Sequence, residues 1–108
     1  MLNKRKRKPK KKMLEDIKPQ LRISSSQTAF DLEIQELIDS ARQDLILSGV
    51  AVDRANDDTD PLIRRAISVY VKAHFGWDNP DADRLEQSFF MLKSHLTLSQ
   101  EYTQEGDS

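Results

Sequence analysis

Apolar residues recur at helical spacing over most of the chain. Between residues 30 and 45, Phe30, Ile34, Leu37, Ile38, Ala41 and Leu45 fall within about 100° of arc, a stripe that predicts a helix facing a core. Thr28 with Asp31 three residues on resembles a capping box at its start. Its end is expected near Ser48, with Gly49 as the left-handed residue beyond. Asp60-Pro61 reads as an N-cap followed by a first-turn proline. The helix it opens, to about Phe75, is apolar over more than half its circumference through Leu62, Ile63, Ala66, Ile67, Val69, Tyr70, Val71 and Ala73. Only Arg64, Arg65, Ser68 and Lys72 form a polar side, so this helix is expected at the centre of the fold. Gly76 ends it, and Asn79-Pro80 opens the last helix by the same device, with Ala82, Leu85, Phe89, Leu92 and Leu96 as its stripe.

The flanking segments are less regular. Leu14, Ile17 and Leu21 keep helical spacing, but Pro19 lacks a backbone donor, which predicts only a short helical turn before an extended Leu21-Arg22-Ile23. Residues 50–59 read as an acidic linker, and the polar stretch from Ser99 as a fraying end. No alternating segment is long enough for a strand. The expected architecture is all-α: a small helical domain over residues 13–102 with three main helices and a short N-terminal one, a preceding arm of residues 1–12, and a polar tail of residues 103–108.

Charge changes this picture. The chain has 108 residues and a net charge of -1. Residues 1–12 hold eight of its 17 basic residues (Lys4, Arg5, Lys6, Arg7, Lys8, Lys10, Lys11, Lys12) and none of its 18 acids, leaving the other 96 residues a balance of −9. A run of like charges without apolar periodicity predicts a disordered arm on an acidic domain. Such an arm suits sequence-independent contact with nucleic acid, although no aromatic residue is interleaved for base stacking. A nuclear-import-like signal or a solvated extension without a role fits the same residues, and Met13, at the onset of periodicity, is an alternative translation start. The longest stretches free of charge are eight residues, Ile23 to Phe30 and Leu45 to Val52, too short to span a membrane, and no apolar run follows the basic start as in a signal peptide.

Catalytic motifs are scarce. With no cysteine there is no thiol nucleophile, disulfide or cysteine-held zinc. Gly49, Gly76 and Gly106 are too far apart for a phosphate loop. His74 and His95 sit at different helix ends, with no carboxylate at a short fixed offset on the same face, so each reads as a packed or surface histidine. An EF-hand loop started at Asn56 would place Asp58 and Asp60 correctly but Pro61 where glycine is needed and Ile67 where glutamate is needed, which defeats it. No enzyme, metal or cofactor is expected. Arg64, Arg65 and Lys72 read either as the water-facing side of their helix or as a face toward DNA or an acidic partner.

Leu32, Ile46, Leu47, Val50, Val52, Phe90, Met91 and Leu98 lie off the core stripes and exceed what a three-helix core needs. Leu32, Ile46, Leu47, Phe90, Met91 and Leu98 are therefore candidates for an oligomer or partner interface, pointing to an assembly module.

The order of several segments resembles a known family. Residues 14–23 (LEDIKPQLRI) are similar to the opening motif of the small head–tail connector, or head-completion, proteins of tailed bacteriophages and prophages. Leu37-Ile38-Asp39-Ser40-Ala41-Arg42, residues 60–67 (DPLIRRAI) and residues 70–80 (YVKAHFGWDNP) resemble later parts of the same family, the last as in versions from Gram-positive bacteria, over about residues 13–102. The resemblance implies a structural, non-enzymatic virion protein. It would assemble with itself as a ring, typically a dodecamer, beneath the portal protein, extend the DNA channel, and offer a platform to head-closure or tail proteins. It carries no role for the basic arm, since family members usually begin near the position of Met13, and no membrane partner is expected. The competing reading is a small nucleic-acid-binding module that uses the arm of residues 4–12.

Overall fold

The structure is a computed structural model that describes residues 12–104, Lys12 by its backbone only. The expected disordered arm lies outside the described residues, apart from Lys12, whose backbone opens the first helix. Residues 105–108 of the expected tail are also outside them.

The described residues form six helices and no strand, in the order α1 Lys12–Gln20, α2 Asp31–Leu47, α3 Val52–Ala55, α4 Pro61–His74, α5 Ala82–Thr97 and α6 Gln100–Thr103. The fold is all-α, with α2, α4 and α5 as the three main helices. As its broad apolar surface predicts, α4 is central and packs against α1, α2 and α5. Ile63, Ile67 and Val71 of α4 are fully buried among Ile34, Ile38 and Leu45 of α2 and Met13 and Ile17 of α1. Phe89 and Leu96 of α5 close the core from the other flank. Lys93 reaches Asp44 at 2.6 Å and ties α5 to α2.

The helix ends show where local chemistry acts. Asp60 caps α4, its Oδ1 accepting from the amides of Leu62 at 2.9 Å and Ile63 at 3.3 Å, with Pro61 next to it. Past α2, the Val50 amide donates to the Leu45 carbonyl and the Gly49 amide to that of Ile46, at 2.9 and 3.0 Å, with Gly49 at φ +123°. This Schellman closure folds Val50 back onto the core, so Val50 is buried.

Several expectations are corrected. The extended Leu21-Arg22-Ile23 is a second Schellman closure: Ile23 and Arg22 donate to the carbonyls of Lys18 and Pro19, and Arg22 takes φ +64°. Burial of Met13, Leu14, Ile17 and Lys18 holds α1 helical through Pro19 despite the missing donor. The capping box at Thr28 does not form: α2 begins at Asp31 with Phe30 in the N-cap position, and the Asp31 carboxylate pairs with Lys18 at 2.8 Å. The third main helix, α5, begins at Ala82, not Pro80. Asn79 instead caps a turn by accepting from the Asp81 amide, and its own amide donates to the Lys72 carbonyl at 2.7 Å.

Residues 50–59 are not a plain linker. Ala51 and Ala55 are buried, and α3 is held by Arg42, which donates to the Ala55 carbonyl at 3.0 Å and pairs with Asp58 at 2.7 Å. The stretch from Ser99 does not fray within the described residues. Ser99 caps α6, Tyr102 is buried, and the Ala51 amide donates to the Tyr102 carbonyl at 2.8 Å.

Candidate functional site

Several large apolar side chains remain in water, and where they form contiguous sets they are candidates for a docking surface. On α2, the exposed residues Leu32, Glu36, Asp39, Gln43 and Leu47 form a stripe, with Glu33 and Ser40 exposed along its edge. The stripe's spacing of three and four keeps it on one side, opposite the buried Ile34, Ile38, Ala41 and Leu45. Leu32 and Leu47 are 72% and 80% exposed.

A second face is built by α4 and α5. Leu62, Val69, Met91 and Leu92 line an open groove between the two helices, with Arg65, Ser88 and His95 beside them. Phe90 and Met91 extend it over α5 into a shallow concavity with Asp83, Glu86 and Gln87. Towards α1 the same side of α4 continues as a polar groove holding Gln20, Arg64, Arg65 and Lys72. Arg64 pairs with Asp16 of α1 at 3.1 Å, so that guanidinium braces α1 on α4 in addition to facing water. Arg65 and Lys72 form no ion pair among the described residues.

Placement of the sequence candidates is therefore uneven. Phe90 and Met91 share one face, while Leu32 and Leu47 share another. Leu98, 85% exposed, caps the C-terminal end of α5, and Ile46 is half-buried against the core. Lys4, Arg5, Lys6, Arg7, Lys8, Lys10 and Lys11 lie outside the described residues, as does the Lys12 side chain.

Sequence reasoning passed over one exposed aromatic. Trp77, the chain's single tryptophan, stands 98% exposed in the turn between α4 and α5. It belongs to no helical stripe, and a tryptophan between Gly76 and Asn79-Pro80 is itself a signal, since a turn has no core-facing side to bury it.

Among the described residues, the titratable groups with shifted pKa or ring contacts serve the packing of the helices. His74 Nε2 stands 3.7 Å from Glu86 of α5, a carboxylate that the helix packing supplies where the sequence offset does not. Tyr70 stacks on His74 with ring centroids 4.4 Å apart. Burial, then the charges of Asp44 and Glu86, pushes the Tyr70 phenol up from its ordinary value. The pair is exposed at the surface, where such contacts add little. Hydrogen bonds from Thr59 hold the Asp57 carboxyl below its usual range, fixing the turn before α4. Among the described residues no group of three or more His, Asp or Glu is placed to hold a metal ion, and no helix is long and apolar enough to cross a membrane.

A family model described as a phage connector protein matches residues 13–103, from α1 through α6. Comparison with curated proteins returns no match, and comparison with solved structures returns none.

Proposed function

The chain belongs to the phage connector protein family, and on that basis we propose that it acts as a structural ring subunit at the head–tail junction of a tailed phage. Copies assemble beneath the portal protein, extend the channel through which DNA passes, and present a platform for a head-closure or tail protein. The work is done by oligomerisation and docking, without turnover. The observation that carries this reading is the family match through every described helix.

Surface chemistry supports it. A ring subunit meets its neighbours through two different surfaces, and this domain keeps large apolar residues in water on α2 and again on α4–α5. Trp77 suits a docking anchor, since exposed tryptophans are prominent among residues that dominate binding energy. The acidic balance of the body disfavours adhesion of DNA to a channel wall.

The test is quantitative peptide mass spectrometry of purified, DNA-filled particles. The chain is expected in a fixed, small multiple of the portal protein's copy number. Its absence from complete particles that contain portal protein would overturn the proposal.

A second activity rests on the eight cations of residues 4–12, which precede the matched segment. We propose that they contact nucleic-acid phosphates without sequence preference. Full-length protein should bind duplex DNA with an affinity that falls steeply with salt, and a chain beginning at Met13 should lose that binding. Equal binding by both chains would refute it.

A further inference from the structure

We propose that neighbouring copies join by seating the outer stripe of α2 from one copy in the α4–α5 groove of the next. This rests on the ring-subunit reading above and names the two surfaces that would form its repeated contact. The stripe has a leucine at each end, Leu32 and Leu47, and the acids Glu36 and Asp39 between them. The groove offers the reverse: an apolar floor of Leu62, Val69 and Met91, flanked by the cation Arg65, with Lys72 further along the same helix.

Neither side satisfies these charges by itself. Glu36 and Asp39 form no ion pair among the described residues, and neither do Arg65 and Lys72. Asp39 accepts only a neighbourly amide bond from Gln35 at 3.1 Å. An amphipathic helix laid into an apolar groove with opposite charges beside it is a recurrent mode of recognition.

Geometry then selects the occupant. The stripe lies on the side of α2 opposite the residues that pack into the core, so it points away from its own α4. It cannot fold back into its own groove, and its two acids between leucines complement the cation-flanked apolar groove that a second copy presents. Because stripe and groove are different surfaces, the contact is head-to-tail: each copy leaves one stripe and one groove free for the next, as a closed ring requires.

The absence of cysteine makes the pairing directly testable. Gln43 lies in the stripe and Ser88 beside the groove. Particles would be assembled from an equal mixture of full-length Gln43→Cys and Ser88→Cys chains, then oxidised and run on a non-reducing gel. A disulfide-linked dimer joining the two different variants, absent when either variant is used alone, is the expected result. Particles that contain the chain but show no mixed dimer would overturn this pairing while leaving the ring reading in place. A dimer formed by Ser88→Cys alone would also overturn it, showing instead a two-fold contact of α5 on α5. Absence of the chain from particles would sink both readings together.

A charge swap gives a second readout. Arg65→Glu is expected to cut completed particles at least tenfold at unchanged helix content, and adding Glu36→Arg to it should restore them in part. Full assembly by Arg65→Glu alone would overturn the charge pairing.

Discussion

Tyr102 donates its phenol to the Asp60 carboxylate at 2.9 Å, across 42 positions of sequence, and so pins α6 to the residue that caps α4. Burial first, and the Asp60 hydrogen bond next, raises the Tyr102 pKa to about 12. An unfolded tyrosine ionises near 10, so the folded state holds this proton more tightly. The stability it contributes is fully present below about pH 10 and is lost as pH rises from there to about 12. Urea unfolding should show a falling midpoint across that window. Tyr102→Phe should cost about 1–2 kcal/mol at neutral pH and flatten the alkaline decline. An alkaline profile identical to that of the unaltered chain would count against the assignment.

Lys18 should be costly to remove. It is 3% exposed, pairs with Asp31 at 2.8 Å and donates to the Gln27 carbonyl at 2.6 Å, joining α1 to the start of α2. Lys18→Met keeps much of the volume but leaves Asp31 without its cation and the Gln27 carbonyl without its donor. The expected loss is about 2–4 kcal/mol, measured by chemical denaturation. Adding Asp31→Asn should recover part of it, because the unpaired charge is then gone.

At Arg22 the expected sign is reversed. Its φ of +64° places a side-chain-bearing residue where helices usually close on glycine. Arg22→Gly should therefore raise stability, by about 0.5–1 kcal/mol, seen as a higher Tm. Arg22→Ala, which keeps the Cβ, should give no such gain.

Legibility in the sequence followed the range of the forces involved. The stripes of α2, α4 and α5 are local periodicities, and Asp60-Pro61 and Gly49 are local backbone chemistry, so each could be read in place. What failed to show depended on partners distant in sequence. The four-residue α3 and α6 are too short to hold themselves and exist through Arg42 on the Ala55 carbonyl and Tyr102 on Asp60. Lys18 reads as a surface lysine until the fold brings Asp31 and two carbonyls of the 24–28 turn around it. Among the interface candidates, Leu32, Leu47, Phe90, Met91 and Leu98 stay in water, as off-stripe residues should. Val50 and Ile46 were harder, because the closure after α2 carries the chain back over the core.

Phe90→Asp and Met91→Asp should separate folding from assembly. At 62% and 61% exposure both substitutions should change the unfolding free energy by less than about 0.5 kcal/mol. Completed particles should nevertheless fall sharply in a complementation assay. Normal particle yield from both variants would remove α5 from the essential contacts.

Trp77 supplies its own reporter. In the free protein its emission should be that of a water-exposed indole, shifting to shorter wavelength when a partner covers the α4–α5 turn. Trp77→Ala should leave thermal stability unchanged and weaken partner docking by tenfold or more, read by co-sedimentation.

The link from α6 back to Ala51 and Asp60 also orders events during synthesis. By the time the ribosome reaches Tyr102, every residue of α1 to α5 has already been joined to the growing chain. The phenol that braces the capping residue Asp60 thus arrives after every helix it steadies. A chain broken off before that point keeps α1 to α5 but lacks both ties, from the Tyr102 phenol to Asp60 and from the Ala51 amide to the Tyr102 carbonyl, that close the end of the fold.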